Sequence, residues 1–347
     1  MRFRAALIAA LVGALTASLG GCNTEYDNPF ARTDIGVPPP ATADVVFTSN
    51  SYTTRAGLPR DLFAVEDGGA GLTRLTFCNT DPRRCDNIEA APSPERQRMA
   101  VRRVSADPDK DGRLTPADGE ALMFVDLARG TEAELVPANA RVSGMDWSPL
   151  GDFIIYSALG EGGLEDLWIM DPNGQNNRNR TVSATITERR PRLNTSANSA
   201  VYERIDATGK GQIYIFSAFK VTSGGPGTEA LAGTPYIVGS DADPDFSPDG
   251  RLVVFRRLTG TGNGGLGTWD ILTARTDGTE MTVVATGPAY RGAPDWGPEG
   301  ILFNEVNVAA STSQLVLIDP AGTNRRTPVS LGASFLLSFP RWLAPPS

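Results

Sequence analysis

An acidic segment early in the chain carries the residue types and the spacing of an oxygen-lined cation site. Between Asp107 and Asp118, carboxylates occupy the first, third, fifth and twelfth positions, and glycine occupies the sixth. An apolar residue stands at the eighth position and a hydroxyl at the ninth. Oxygen atoms are the ligands that Ca²⁺ prefers, and the glycine permits a sharp turn among them. The segment is therefore a candidate calcium site.

The same segment resembles the calcium loop of EF-hand and dockerin proteins. That resemblance implies a structural calcium ion held by the side chains of Asp107, Asp109, Asp111 and Asp118, the carbonyl of Arg113 and, directly or through water, Thr115. The sequence departs from the pattern in two ways, because the flanking segments look like strands and Asp118 replaces the usual bidentate Glu. The alternative hypothesis is an acidic, solvated turn without a metal.

The absence of histidine excludes several kinds of catalytic site. Without it, neither a Ser-His-Asp or Cys-His arrangement nor a histidine metal triad can form. Lysine occurs only at Lys110, Lys210 and Lys220, which disfavours lysine-based chemistry. The net charge is −8 and the arginines are scattered, so no basic stripe indicates a nucleic-acid partner.

The first residues have the pattern of a bacterial lipoprotein signal. Arg2 and Arg4 precede an apolar run that is short for a membrane span, and the run ends at Leu19-Gly20-Gly21-Cys22. We predict a signal peptide over residues 1–21, lipidation of Cys22 and an aperiodic tether over residues 22–43. Asn23 is not the Asp of an inner-membrane retention signal, so the outer membrane is favoured. An ordinary secretory peptide is the alternative.

The two other cysteines fit an exported protein. Cys78 and Cys85 flank a turn that contains a proline. A close pair in an exported chain is typical of a disulfide, and closing so short a loop contributes about 2–3 kcal/mol in the chain-entropy account. Free thiols are the alternative, since a zinc site needs more ligands than this pair offers.

One motif recurs along the rest of the chain. Its clearest copy is Pro-Asp-Phe-Ser-Pro-Asp-Gly, from Pro244 to Gly250, and the apolar run Leu252–Phe255 follows it. Aligned on Ser247, the copies are anchored at positions 93, 148, 194, 247, 297 and 343. Repeats of about 40–50 residues built from short strands are typical of propeller blades.

The repeats predict an all-β protein, a six-bladed β-propeller of four-stranded antiparallel blades. Asp-Gly and Asn-Gly steps between β-branched runs supply the turns of its hairpins. The first strand, at Asp44–Thr48, has no anchor strand before it, and the last anchor, around Trp342, has no strand after it. We expect these N- and C-terminal strands to share one blade and close the ring. The propeller then spans residues 44–343, with a tail at 344–347; seven blades are the alternative.

These anchors resemble the propeller repeats of the TolB family, the periplasmic partner of the Tol–Pal system, and of its WD-like relatives. The match spans about residues 44–343. TolB proteins carry an α/β domain ahead of the propeller, and the segment before Asp44 is too short for one. The resemblance implies a propeller that works in the cell envelope.

Residues equivalent to Asp245 in the repeats belong to the innermost strands, so we expect them around the central channel. They are Ala91, Asp146, Arg192, Asp245, Asp295 and Arg341. One hypothesis is that each Asp caps its own turn or pairs with a neighbouring Arg. The other is a charged funnel that grips a peptide or a sugar.

Together these features predict a non-catalytic, lipid-anchored envelope propeller. Its expected partner is an envelope protein or a cell-wall polymer, peptidoglycan or another polysaccharide, and it is expected to be a monomer that touches the membrane only through its lipid. The alternative is a carbohydrate-active hydrolase or lyase that uses paired carboxylates such as Asp146 with Asp245. The boxes typical of sialidases are missing, and no acid stands apart from the repeats.

Overall fold

The computed structural model describes residues 36–50, 59–78, 85–217, 228–231, 240–332 and 336–345. The predicted signal peptide, Cys22 and residues 23–35 of the predicted tether lie outside this part of the chain. The described residues form strands β1–β24 and short 3₁₀ helices at Pro116–Asp118, Ala138–Ala140 and Asn263–Gly265.

The strands make six four-stranded antiparallel sheets, numbered here as blades 1–6 around the ring. Blade 1 contains β24 (Leu337–Trp342), β1 (Val45–Ser49), β2 (Asp61–Val65) and β3 (Thr73–Arg74). Blade 2 contains β4 (Asp86–Pro92), β5 (Arg98–Val104), β6 (Ala121–Asp126) and β7 (Thr131–Val136). Blade 3 contains β8 (Gly144–Trp147), β9 (Ile154–Leu159), β10 (Glu165–Met170) and β11 (Arg178–Asn179).

The other three blades repeat the same order from the inside outward. Blade 4 contains β12 (Thr187–Leu193), β13 (Ser199–Ile205), β14 (Gly211–Ser217) and β15 (Thr228–Leu231). Blade 5 contains β16 (Asp241–Phe246), β17 (Leu252–Gly260), β18 (Thr268–Arg275) and β19 (Thr282–Ala285). Blade 6 contains β20 (Tyr290–Gly297), β21 (Gly300–Asn307), β22 (Thr312–Ile318) and β23 (Arg326–Gly332).

The predicted ring closure is confirmed in blade 1. The last strand, β24, lies innermost and pairs antiparallel with β1, so that Val45 faces Trp342 and Val46 faces Arg341. The N–H of Leu343 adds a hydrogen bond to the Asp44 carbonyl at 2.8 Å. Because β24 pairs with β1 in one sheet, the inner edge of β1 is not left unpaired.

The recurring motif folds as the turn between the first and second strands of a blade. In blade 5 the Gly250 N–H donates to the Ser247 carbonyl at 2.8 Å, and the Ser247 hydroxyl accepts the Leu252 N–H at 2.9 Å. Gly250 has a φ of 69°, a left-handed conformation that glycine adopts without steric cost. The serine and the glycine of the motif therefore have separate roles in this turn.

The hydrophobic core is divided among the blade interfaces. The described residues form six buried apolar clusters, one between each pair of neighbouring blades. In β17, Val253 and Phe255 pack toward blade 4, whereas Val254 packs toward blade 6. This alternation follows from the two-residue period of a strand, and it explains why the second strands of the blades contain continuous apolar runs such as Leu252–Phe255.

Two further features tie the first blades together. Cys78 and Cys85 form the predicted disulfide, with a Cα–Cα distance of 4.8 Å. Residues 36–43, which the sequence assigned to the tether, lie against the ring: Gly36 bridges Thr76, and the Arg96 guanidinium donates to the carbonyls of residues 40, 41 and 43. The contact of this segment with the ring was not predicted from the sequence.

The strand order gives the propeller two different faces. Connections between second and third strands, and those between blades, emerge on one face, which we call the loop face. The calcium-like segment lies there, between β5 and β6, together with the connections at 160–164 and 261–267. The tight turns between first and second strands emerge on the opposite face, the turn face. The long segment at 222–234, between the third and fourth strands of blade 4, lies outside the described residues except for its part in β15.

Candidate functional site

The central channel holds the charged set that the repeats predicted. Asp146, Asp295 and Arg341 come from blades 3, 6 and 1, and their side chains meet. The Arg341 guanidinium lies 3.0 Å from the Asp295 carboxylate and 3.6 Å from that of Asp146, and it donates to the Met145 carbonyl at 2.9 Å. Arg192 donates to the same carbonyl at 2.9 Å. The channel is therefore crossed by ion pairs rather than open and lined by free charges.

Each channel aspartate also bonds to the backbone of the next blade. Asp146 accepts the N–H of Leu193 at 2.8 Å, Asp245 accepts that of Trp296 at 2.7 Å, and Asp295 accepts that of Trp342 at 2.8 Å. In each case the donor directly follows the equivalent position of the next blade. The aspartates thus join neighbouring blades, and neither sequence hypothesis described this role.

The seam between blades 1 and 2 lacks this bond for a reason visible in the sequence. Arg341 occupies the acceptor position of blade 1, and the residue that would donate from blade 2 is Pro92, which has no N–H. In this seam, an arginine therefore stands in place of the aspartate that accepts the hydrogen bond, and a proline stands in place of the residue that donates it. Arg341 instead binds the carboxylates of Asp295 in the neighbouring blade 6 and of Asp146 in blade 3.

Glu89 is a channel residue that the sequence analysis missed. It is 1% exposed and lies 3.2 Å from Arg192, 3.4 Å from Arg102 and 3.9 Å from Arg341. Burial alone raises the pKa of Glu89, but the surrounding guanidinium groups outweigh it and hold the pKa below its ordinary value. The available signal was a single carboxylate in the otherwise apolar end of β4.

A second ring of residues lies two positions before the first. In blades 4, 5, 6 and 1 this residue precedes a proline and has a φ between 46° and 52°; the four residues are Arg190, Asp243, Ala293 and Phe339. A shift of strand register marks a β-bulge at the same place in each blade. The left-handed backbone costs on the order of 1 kcal/mol at each non-glycine residue.

The bulges direct these residues toward neighbouring blades. Arg190 of blade 4 forms an ion pair with Asp243 of blade 5. Asp243 in turn accepts the Ala293 N–H of blade 6 at 3.2 Å and binds Arg256 at 2.7 Å. The repeated residue–proline pair was the sequence signal for this ring.

Three carboxyls in the channel are not electrostatically equivalent. Burial, followed by the neighbouring Asp295, raises the pKa of Asp245 well above its ordinary value. Burial also raises the pKa of Asp146, although Arg341 and Arg192 oppose it. Asp245 is 8% exposed and, unlike Asp146 and Asp295, has no ion pair within the described part of the chain. Asp245 is therefore the acid whose negative charge is least compensated.

This difference predicts that Asp245→Asn stabilises the protein at neutral pH, by on the order of 1 kcal/mol. The folded pKa lies above the unfolded one, so the native state loses stability as the pH rises from the ordinary Asp range through the raised pKa. Asparagine does not titrate and retains an oxygen for the Trp296 N–H. Thermal unfolding against pH measures the gain, which should vanish at low pH.

The matched control for this prediction is Asp249→Asn, an acid in the adjoining turn with a 59% exposed side chain. It accepts hydrogen bonds from the Ser247 hydroxyl and the Arg251 N–H, which lower the pKa of Asp249. Its replacement should therefore not stabilise the protein. A melting temperature of Asp245→Asn equal to or below that of the parent at neutral pH would contradict the prediction.

The loop face carries a cleft of about 830 Å³ between blades 2, 3 and 4. Its walls include the end of the calcium-like segment and charged residues of both signs: Arg102, Asp118, Glu120, Arg141, Glu165, Arg189 and Arg190. Arg102 binds Glu120 at 2.8 Å, and Arg189 binds Glu165 at 2.6 Å. Arg141 is exposed and forms no ion pair with a residue that the structure describes. The cleft therefore offers one free guanidinium in an otherwise balanced wall.

With this geometry established, comparison with solved structures identifies the fold. TolB from Acinetobacter baumannii matches with a TM-score of 0.64 at 14% sequence identity, over 88% of this chain and 68% of that one. A putative TolB from Agrobacterium tumefaciens matches with a TM-score of 0.57 at 15% identity, over 87% and 98%. The chain has the fold of the TolB propeller.

The same fold extends to proteins of other kinds. A chain of a nidogen/laminin complex matches with a TM-score of 0.59 at 9% identity, covering 87% of this chain and 99% of that one. Neither a family model nor a curated protein sequence matches the chain. These matches establish a common fold and confirm the TolB-type propeller predicted from the anchors. At such low sequence identity they do not transfer an activity to this chain. Among the described residues, no helix has the length and hydropathy needed to cross a bilayer.

The calcium-like segment brings three of its predicted ligands together. One oxygen each of Asp107, Asp109 and Asp118 lie within 4.8 Å of one another. Asp111 is outside this group, and its carboxylate accepts the Arg113 N–H at 2.7 Å. Asp118 also accepts both the N–H and the hydroxyl of Thr115, at 2.7 and 3.0 Å, and so caps the short helix Pro116–Asp118.

The electrostatics of this segment reflect crowding of like charges. The Asp111 N–H favours the charged form of Asp109, but the carboxylates of Asp107, Asp111 and Asp118 together raise the pKa of Asp109 above its ordinary value. A divalent cation would relieve this repulsion. The arrangement suits an oxygen-coordinated ion and offers no group for acid–base catalysis.

Proposed function

We propose that this protein is a non-catalytic propeller scaffold of the bacterial cell envelope, held to the membrane by lipid on Cys22 and binding another envelope protein or a cell-wall polymer. The observation that carries the proposal is the use of the channel acids. Both oxygens of Asp146 and both oxygens of Asp295 are engaged by Arg341 and by backbone N–H groups of the next blade. Because these acids bond one blade to the next, they stabilise a rigid propeller on which a partner can bind.

The same contacts argue against the rival function, a carbohydrate-active hydrolase or lyase. Such an enzyme needs one carboxylic acid and one carboxylate that can reach the substrate or a water molecule. Asp245 is suited to the acid, but Asp146 is poorly suited to the carboxylate, because one of its oxygens accepts the Leu193 N–H and the other lies 3.6 Å from the Arg341 guanidinium. Long connections on a rigid scaffold and the cleft among them suit binding instead.

The partner test uses a matched pair of charge reversals on the two faces. Arg141→Glu changes the free guanidinium of the loop-face cleft, and Arg251→Glu changes an 81% exposed guanidinium on the turn face. Crosslinking on intact cells and co-sedimentation with purified peptidoglycan measure the protein and polymer partners. We expect Arg141→Glu to lose the crosslinks or the co-sedimentation that the parent and Arg251→Glu retain. Charges at the rim of an interface govern the rate at which partners meet and the register in which they bind. Turnover of a polysaccharide that both Asp146→Asn and Asp245→Asn abolish would overturn the proposal.

The lipid anchor has its own test, independent of the partner. Cys22→Ala should move the protein from the membrane fraction to the soluble fraction and abolish palmitate labelling, because the thiol is the attachment point. Thr24→Ala is the control and should stay with the membrane. Membrane association and labelling that survive in Cys22→Ala would show that another feature holds the protein there.

We also propose that the segment from Asp107 to Asp118 holds a structural calcium ion. The convergence of three carboxylates supports it, and we expect a dissociation constant of about 10⁻⁶–10⁻³ M, as in weaker sensor and extracellular sites. Calcium at a hundredfold excess should stabilise the protein by about 2.7 kcal/mol through mass action. Calorimetry and thermal unfolding, each with calcium and with chelator, measure both quantities.

The calcium test needs a variant and a control that change charge equally. The double replacement Asp107→Asn with Asp109→Asn should remove the calcium-dependent shift and leave the propeller folded, because the segment lies outside the strands. Asp206→Asn with Asp277→Asn changes two exposed acids in other turns and should keep the shift. If the parent shows no heat of binding and no thermal shift at millimolar calcium, then the segment is a solvated acidic turn without a metal.

A further inference from the structure

The channel ends on the turn face in a cavity of about 220 Å³. It lies at the opposite ends of the inner strands from the loop-face cleft: residues 141–143 before β8 line the cleft, whereas Asp146 and Trp147 at the end of β8 line the cavity. Its charged lining is Asp146, Asp245, Asp295 and Arg341, and its apolar lining includes the indoles of Trp147 and Trp342.

The charges of this cavity do not balance. Three acids and one guanidinium line it, and Arg341 is already held by Asp295, by Asp146 and by the Met145 carbonyl. Asp245 is more than nine-tenths buried, and one of its oxygens accepts the Trp296 N–H at 2.7 Å. Its other oxygen has no hydrogen-bond donor among the residues that the structure describes, so the cavity offers an acceptor to a ligand.

The aromatic lining contains hydrogen-bond donors that lack an acceptor within the described ranges. The indole N–H groups of Trp147 and Trp342 are buried and, in the described part of the chain, find no acceptor. Tryptophan faces also attract a lysine or arginine cation more strongly than other side chains do. A ligand that carries a cation would use the free carboxylate oxygen and the tryptophan rings together.

We propose that this cavity receives a lysine or arginine side chain of a partner protein, held by the Asp245 carboxylate and the rings of Trp147 and Trp342. The net charge of −8 favours a basic partner by complementarity. The cavity lies on the turn face and is tested with small peptides. A negative result there therefore leaves the partner proposed for the loop-face cleft unaffected.

Binding of a cation should be linked to proton release. The groups that face Asp245 are the carboxylate of Asp295, the guanidinium groups of Arg192 and Arg341, and the Trp296 N–H. Together with burial they leave the pKa of Asp245 raised, so the free cavity retains a proton that an entering cation displaces. Affinity for a cation should therefore increase as the pH rises through this raised pKa and level off above it.

The test titrates the purified protein with the capped tripeptides Gly-Arg-Gly and Gly-Lys-Gly, and with Gly-citrulline-Gly as the neutral isostere of the first. Calorimetry in two buffers of different ionisation enthalpy gives both the affinity and the proton release. We expect saturable binding of at least one basic peptide, at least about tenfold tighter than that of the citrulline peptide, with protons released.

Asp245→Asn should weaken binding of the basic peptide by at least about tenfold, whereas Asp249→Asn should not change it. Because Asp245→Asn is expected to be the more stable protein, loss of binding in it cannot be attributed to unfolding, and its melting curve checks this. Equal affinity for the citrulline peptide, unchanged affinity in Asp245→Asn, or no saturable binding of either basic peptide would each overturn the inference.

Discussion

A chain truncated after Leu336 is expected to lose about 5 kcal/mol or more of stability, which is comparable with the whole stability of many domains. The truncation removes β24, so β1 loses its inner partner and its inner edge is left unpaired. It also removes Leu337 and Trp342 from the core between blades 6 and 1. Loss of the strand, the core contacts and ring closure together should lower the melting temperature of the entire propeller.

Circular dichroism during thermal unfolding measures this effect in a single cooperative transition. The control is a chain truncated after Leu343, which keeps β24 and the hydrogen bond from Leu343 to Asp44. The control should melt close to the full chain. If both truncated proteins melt alike, then the terminal strands do not hold the ring closed.

Arg341→Met is expected to cost about 3–5 kcal/mol at neutral pH, because it leaves buried carboxylates without their cation. Methionine fills much of the volume, so the loss reports charge rather than a cavity. Asp295 and Asp146 lose an ion pair, and Glu89 loses one of the guanidinium groups around it. Denaturant unfolding of parent and variant measures the difference.

The pH dependence gives this prediction a sign. The guanidinium groups hold the pKa of Glu89 below its ordinary value, so Glu89 contributes stability above the unfolded pKa and loses it as the pH falls through the folded pKa. Removing Arg341 reduces that contribution, so the two proteins should converge in stability at acidic pH. Arg129→Met, with a 79% exposed side chain, is the control and should cost about 0–1 kcal/mol. A variant as stable as the parent at neutral pH would show that the channel carboxylates need no cation.

The ring was predictable because its information is local and repeated. Each copy of the turn motif and the apolar run after it specify a hairpin from adjacent residues, and the regular spacing then fixes the number of blades. Even the shared blade followed from counting, since Asp44–Thr48 lacked an anchor strand and Trp342 lacked a successor. The placement of Asp146, Asp245 and Arg341 in the channel followed from the same alignment.

Contacts between blades were not predictable in this way. Which carboxylate Arg341 reaches depends on bulges that shift strand register, and Glu89 meets two arginines that are distant in sequence, Arg192 and Arg341. The predicted roles for the channel aspartates were capping their own turns, pairing with a neighbouring arginine, or gripping a ligand. Arg341 does pair with Asp295 and Asp146, but none of these predictions included a bond to the backbone of the next blade. The bond from Asp245 to the Trp296 backbone requires the curvature of the whole ring.

The Arg96 clamp on residues 40–43 has a mechanical consequence. A guanidinium on the blade 2 turn holds three carbonyls of the segment that leads into β1, and Gly36 is bridged to Thr76 outside β3. Tension applied to the chain before Gly36 would therefore reach the seam between blades 1 and 2 before it reached β1. The segment would resist by shearing several hydrogen bonds at once instead of peeling the closing strand one residue at a time. A propeller attached by its N-terminus could thus bear load without opening.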